Sequence, residues 1–182
     1  MSKYVPIILL LVLSGCLRDK PFRSSSVAGK EHTQFQMVPA DITGITFANK
    51  VIYTGANNFS SITKQWFGGG VAIGDINNDG LQDILLTANQ DTSRLYLNLG
   101  DFHFKDITTA AGINIQAGWT TGAVMADVNA DGLMDMYICR GGMVPTQNTH
   151  NLLFINQGNL TFRESAAEYG IDDGGLTTCA SF

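Results

Sequence analysis

The chain has 182 residues, 45% hydrophobic and 15% charged, with 20 glycines; this is enough apolar material for a packed core and excludes disorder throughout. Its net charge is −5 and it carries no basic cluster, which argues against a nucleic-acid partner and against electrostatic binding to an anionic membrane. The acidic residues gather in two short loops, a pattern that points to a bound cation more than to general solubility.

In chain order, Met1-Ser-Lys3, the apolar run Tyr4 to Leu13 and the small-residue exit Leu13-Ser14-Gly15-Cys16 have the layout of a secretory signal over residues 1–15. The run is too short to cross a hydrocarbon layer, which takes about 20 helical residues. Leu13-Ser14-Gly15-Cys16 also resembles the bacterial lipobox, which implies cleavage before Cys16, lipidation of its sulfur and a place at the outer membrane or cell surface. An ordinary signal peptide in which Cys16 is incidental is the alternative, and both readings export the protein. Residues 16–41 are polar and Ser-rich, as a flexible tether would be. The alternation Ile-Thr-Gly-Ile-Thr-Phe from Ile42 predicts a strand over 42–48, and Thr54 to Lys64 reads as loop.

An internal repeat follows. Gly70-Val-Ala-Ile-Gly-Asp75-Ile-Asn77-Asn-Asp79-Gly80-Leu-Gln-Asp83 matches Gly122-Ala-Val-Met-Ala-Asp127-Val-Asn129-Ala-Asp131-Gly132-Leu-Met-Asp135, 52 positions later. Leu95-Tyr-Leu-Asn98-Leu-Gly100 matches Leu153-Phe-Ile-Asn156-Gln-Gly158 at 58, so six residues are inserted in between, near the Gly, Pro and Asn-rich stretch 141–150. Each copy reads as four short β segments, the content of one propeller blade, and the period-two alternation excludes a helical repeat. The copies span about 66–117 and 118–174. A third begins at Gly175 and stops short of its next Asp, so the chain is expected to be a fragment of a longer protein. The fold expected for 42–182 is all-β, a partial β-propeller of about two blades and the start of a third.

Asp75, Asn77, Asp79 and Asp83 stand at positions 1, 3, 5 and 9 of the first loop; Asp127, Asn129, Asp131 and Asp135 repeat that spacing. Calcium takes six to eight oxygens, so such a loop must turn alternate side chains inward and add a backbone carbonyl, here from Leu81 and Leu133 at position 7. Gly80 and Gly132 fall where the chain must bend sharply. The loops are not EF-hands, because Leu86 and Ile138 occupy position 12. Zinc is disfavoured because neither loop holds His or Cys, and magnesium because its octahedral shell dehydrates reluctantly. Two calcium ions are expected, one per loop. The plainer alternative is that Asp, Asn and Gly make Asx-type turns and bind nothing.

Phe67-Gly68-Gly69-Gly70-Val-Ala-Ile-Gly-Asp75 with the acidic loop after it resembles the FG-GAP, or VCBS-type, repeat of integrin-α-like propellers, and is similar to bacterial surface proteins related to cartilage acidic protein. The resemblance covers about residues 42–182 and departs in lacking a Gly-Ala-Pro triplet. It implies a propeller of about seven blades with structural calcium in the blade loops. It does not imply one activity, since adhesion, glycan binding and scaffolding all occur on such folds.

Other chemistry is weak. Gly68-Gly69-Gly70-Val-Ala-Ile-Gly74 is mis-spaced for a dinucleotide. No Gly-x-Ser-x-Gly elbow occurs, and His32, His103 and His150 read as surface or turn residues. Trp66, Phe67 and Trp119 recur before the glycines and are read as packing between blades ahead of sugar stacking. Cys139 and Cys179 are read as reduced core cysteines, with pairing left open. The expected function is a noncatalytic binding or adhesion module with an unknown protein or glycan partner and contact with a membrane through lipid alone. The alternative is the N-terminal fragment of a carbohydrate-active enzyme whose catalytic part lies elsewhere.

Overall fold

A computed structural model of the chain describes residues 35–52, 68–115, 118–141 and 149–182. The signal sequence, Cys16, His32, Trp66, Phe67 and the loop at 54–64 lie outside the described residues, as does most of the insertion at 141–150.

From Met37 onward the chain forms one compact unit of two four-stranded antiparallel sheets. The first is a meander of β1 (Val71–Gly74), β2 (Asp83–Leu86), β3 (Arg94–Asn98) and β4 (Phe104–Asp106); the second repeats it with β5 (Thr120–Ala126), β6 (Asp135–Arg140), β7 (Leu152–Asn156) and β8 (Phe162–Glu164). Each copy of the sequence repeat is thus one blade, and the expected all-β, partial-propeller architecture is what the chain forms. Register preserves the repeat: Ile73 faces Ile84 and Ile84 faces Tyr96, as Met125 faces Met136 and Met136 faces Phe154.

Alternation decides which side of blade 1 is buried. Ala72, Leu85 and Leu95, cross-strand neighbours, turn toward blade 2 and are 6%, 0% and 0% exposed. They meet Met136, Ile138, Phe154 and Phe162 of blade 2 in one cluster, with Ile107, Ala111, Ile113 and Ile115 of the connecting segment filling the seam. Close approach at the inner strands needs bare backbone: a methyl group on Gly70 would stand 2.7 Å from the Cα of Gly122. Polar bonds close the same seam, with Asn89 Nδ2 donating to the Thr120 carbonyl at 3.0 Å and the Thr120 hydroxyl to the Ala88 carbonyl. A second cluster, Tyr137, Cys139, Leu153, Ile155 and Ala166, lies on the far side of blade 2, where Ala180 of the third-repeat segment packs on it.

The alternation at 42–48 does not become a strand. Ala40–Thr43 forms a helical turn, α1, which Gly44 ends in the left-handed conformation at φ 74°, and the residues after it run irregularly. Ala166–Tyr169 forms the same turn, α2, ended by Gly170 at φ 69°. Propensity for β structure lost at 42–48 because a strand needs a paired edge, and this segment has no ladder partner among the described residues. Cys139 is buried as expected, whereas Cys179 is exposed, because the third copy contributes a segment with nothing packed on its outer side. Both thiols are free. Trp119 is 3% exposed, in keeping with a packing role, and His103 and His150 sit at the surface. Among the described residues no helix is long and apolar enough to cross a membrane.

Candidate functional site

The two acidic loops join β1 to β2 and β5 to β6, at the same end of adjacent blades. In the first, Asp75 folds its carboxylate back over the turn, accepting from the Asp79 amide at 3.2 Å through Oδ1 and from the Gly80 amide at 2.7 Å through Oδ2. Asp79 accepts from the Leu81 amide at 2.8 Å and from Asn77 Nδ2 at 2.8 Å. The second loop repeats this: Asp131 and Gly132 donate to Asp127 at 3.1 and 2.8 Å, Leu133 donates to Asp131 at 2.8 Å, and Asn129 Nδ2 donates to Asp131 at 2.9 Å. Gly80 and Gly132 both stand at φ 86°, a left-handed bend that a residue without a β-carbon adopts cheaply.

Asp83 and Asp135 differ from the rest in being 0% and 1% exposed. Asp83 accepts from the Ile76 amide at 2.9 Å and the Asn98 amide at 2.7 Å; Asp135 accepts from Val128 at 3.0 Å and Asn156 at 2.8 Å. Each therefore ties the loop entry to the end of the third strand of its blade. Burial pushes both carboxyls above the usual value, against the pull of those amides, and the neighbouring pairs Asp79 with Asp75 and Asp131 with Asp127 push further. For Asp75 burial also works upward, but the amides of Gly80, Asp79, Asn77 and Asn78 together outweigh it and hold the carboxyl below its ordinary range.

The loops also touch. Asn78 Nδ2 donates to the Gly132 carbonyl at 3.0 Å, and Asn156 Nδ2 reaches across the seam to the Ile76 carbonyl at 2.8 Å while holding Met134 at 3.1 Å. Sequence reading marked Asn98 and Asn156 as strand ends and missed this bracing; their recurrence at matched positions was the available signal.

Residues 75–138 match the FG-GAP-like repeat.

That stretch runs from Asp75, the first residue of loop one, to the strand leaving loop two, so the match takes in both acidic loops. FG-GAP-like repeats are binding or structural modules in general. A search of curated proteins returned no match.

The donor set of each FG-GAP-like loop fits a hard cation chemically: three carboxylates, one amide oxygen and a carbonyl, with no nitrogen or sulfur donor. Charge fits too. The ion pairs among the described residues join Arg94 with Asp106, His150 with Asp172 and Arg163 with Glu168, so no basic group offsets the loops. The carboxylates are turned onto the loop's own amides, and among the described residues no three acidic, His or Cys side chains stand as a metal cage. An amide uses one lone pair of each carboxylate oxygen, leaving a second for an ion.

Proposed function

We propose that this chain is the calcium-stiffened repeat region of an exported β-propeller protein that serves in binding or adhesion and not in catalysis. One observation carries the reading: six carboxylates lie in two adjacent loops of one shape, turned onto the loops' own amides, with no basic partner among the described residues. Asp75, Asn77, Asp79, the Leu81 carbonyl and Asp83 would hold one ion; Asp127, Asn129, Asp131, the Leu133 carbonyl and Asp135 the other. A divalent ion would offset the mutual repulsion of three clustered carboxylates, which is several times stronger near protein than in bulk water. The loops would then be fixed relative to the strands, leaving the outer loops as recognition surface for a protein or glycan. The lipobox-like Cys16 supports attachment to a bacterial outer membrane or cell surface through lipid, and the relation to cartilage-acidic-protein-like surface proteins belongs to the same proposal.

Calcium titration by calorimetry tests it. Two sites are expected, in the range of about 10⁻⁴–10⁻³ M usual for extracellular modules, with Asp79→Ala and Asp131→Ala each removing one. Absence of binding heat at millimolar calcium overturns the reading.

A further inference from the structure

Blade 1 leaves bare the face that blade 2 buries. Val71 and Ile73 of β1, Ile84 and Leu86 of β2 and Tyr96 of β3 are cross-strand neighbours on the side turned away from the seam. At the repeat offsets of 52 and 58 they stand where blade 2 has Ala123, Met125, Met136, Ile138 and Phe154, all of which lie in or against the seam cluster. Val71 and Ile73 are instead more than half exposed. Toward the rim the segment after α1 meets the sheet around a polar cleft whose walls include Lys50, Asp91, Arg94 and Asp106, so the apolar centre has a charge-balanced border.

The hairpin between β3 and β4 points the same way. Phe102 stands at φ 60° and its counterpart Leu160 at φ 62°. The left-handed region is costly for a bulky side chain, so a residue held there in both blades is held for what it reaches. Leu160 reaches the seam cluster and packs on it. Phe102, on the same turn of blade 1, is 67% exposed. Three exposed apolar side chains on blade 1 thus each have a counterpart seated in the seam.

The rest of the chain narrows the occupant. In the seam a face of this kind meets the opposite side of a blade, but blade 1 has its opposite side in the seam and blade 2 has its own under Ile171 and Ala180. Neither can be turned to a neighbouring molecule without dismantling the contact it already makes. Among the described residues, the blade face left free on every copy is the one bearing Val71, Ile73 and Phe102, and a surface that meets its own copy closes about a two-fold axis. Charge sets the direction. The first acidic loop and the Phe102 hairpin lie at one end of the strands, with Lys50 and Arg94 at the other. An axis perpendicular to β1 sets the acidic end of each copy beside the Lys50 end of its partner and keeps the two sets of loop carboxylates apart. We propose that this face is a self-association surface, through which two copies of the chain form an antiparallel two-fold dimer with Val71 and Ile73 at its centre.

Sedimentation equilibrium of the full chain tests it, in EDTA and with a phosphine reductant that removes any dimer joined through the exposed Cys179. A small interface of this kind should give a monomer–dimer equilibrium with a Kd on the order of 10 µM. Ile73→Lys sets like charges against each other at the centre and should weaken the dimer at least about tenfold. Its thermal transition in dilute protein should not move, because that side chain is exposed in the single copy. Phe102→Gly should weaken the dimer while raising the thermal transition, a combination that damage to the fold cannot give. Leu176→Lys, at an exposed apolar residue away from blade 1, should dimerise as the parent does. A monomer at every concentration, which would leave the face to an unlike partner, overturns the proposal, as does a mass that climbs past two copies or a folded Ile73→Lys that dimerises undiminished. Working in EDTA keeps the outcome separate from the calcium reading, since the surface contains no acidic-loop carboxylate.

Discussion

Replacing Asp83 with alanine in metal-free buffer separates bracing from ion binding. The parent carboxylate accepts two buried amides, from Ile76 and Asn98, at 2.9 and 2.7 Å. Alanine leaves both donors without their acceptor, and each such orphan costs about 1–3 kcal/mol, so a loss of about 2–6 kcal/mol is expected. Asp83→Asn keeps the shape and one acceptor but turns an NH2 toward the second amide, which places it between the parent and the alanine variant. Asp135 makes the equivalent pair with Val128 and Asn156, so Asp135→Ala should cost about as much. Urea unfolding followed by fluorescence, in EDTA, reads these losses as shifts in midpoint at constant slope. If Asp83→Ala shifts stability by less than about 0.5 kcal/mol, the two bonds do not brace the blade and the reasoning fails.

Other substitutions probe separate links. Gly80→Ala and Gly132→Ala meet nothing within 4 Å, so each should cost only the left-handed backbone, about 1 kcal/mol, in the same urea assay. Asn156→Ala removes the bond across the seam to Ile76 and should cost about 1–3 kcal/mol, more than Asn98→Ala, whose side chain bonds Gln82 and Gly100 within its own blade. Burial, with a lesser push from the nearby Cys179, raises the Cys139 thiol to about 11. At pH 8 a thiol reagent should therefore label Cys179 promptly and Cys139 only on unfolding, as counted by mass spectrometry. Equal labelling of both in the native protein would refute that packing.

Much of the fold was legible because the repeat fixes equivalences that no single strand does. The offsets of 52 and 58 mapped β1 to β4 onto β5 to β8, although in β1 the small residues Ala72 and Gly74 are buried while Val71 and Ile73 are exposed. Single-copy features read less well. Ile42 to Phe47 alternates like a strand, yet Gly44 closes a helical turn there, since alternation states a preference and says nothing of whether an edge is free to pair. The spacing of Asp83 was visible, but its burial and its two amide partners were not, because one of those partners lies fifteen residues away on another strand. The cleft was invisible for the same reason: Lys50, Arg94 and Asp106 converge only through the sheet.

Gly44 carries a wider consequence. A methyl group there would stand 2.6 Å from the Phe104 carbonyl, and one on Gly112 would stand 3.4 Å from the Phe162 carbonyl, the matching atom one blade on. The chain ahead of β1 therefore meets β4 as the connecting segment meets β8, and Val71 and Ile73 of β1 are 56% and 59% exposed. Modules joined this way stack in a single direction, head to tail, as successive treads of a stair do. An in-frame duplication of 118–174 would set Val124 and Tyr137 beside Leu153 where the seam has Ala72 and Leu85 beside Leu95, so the new joint would have to accommodate larger side chains.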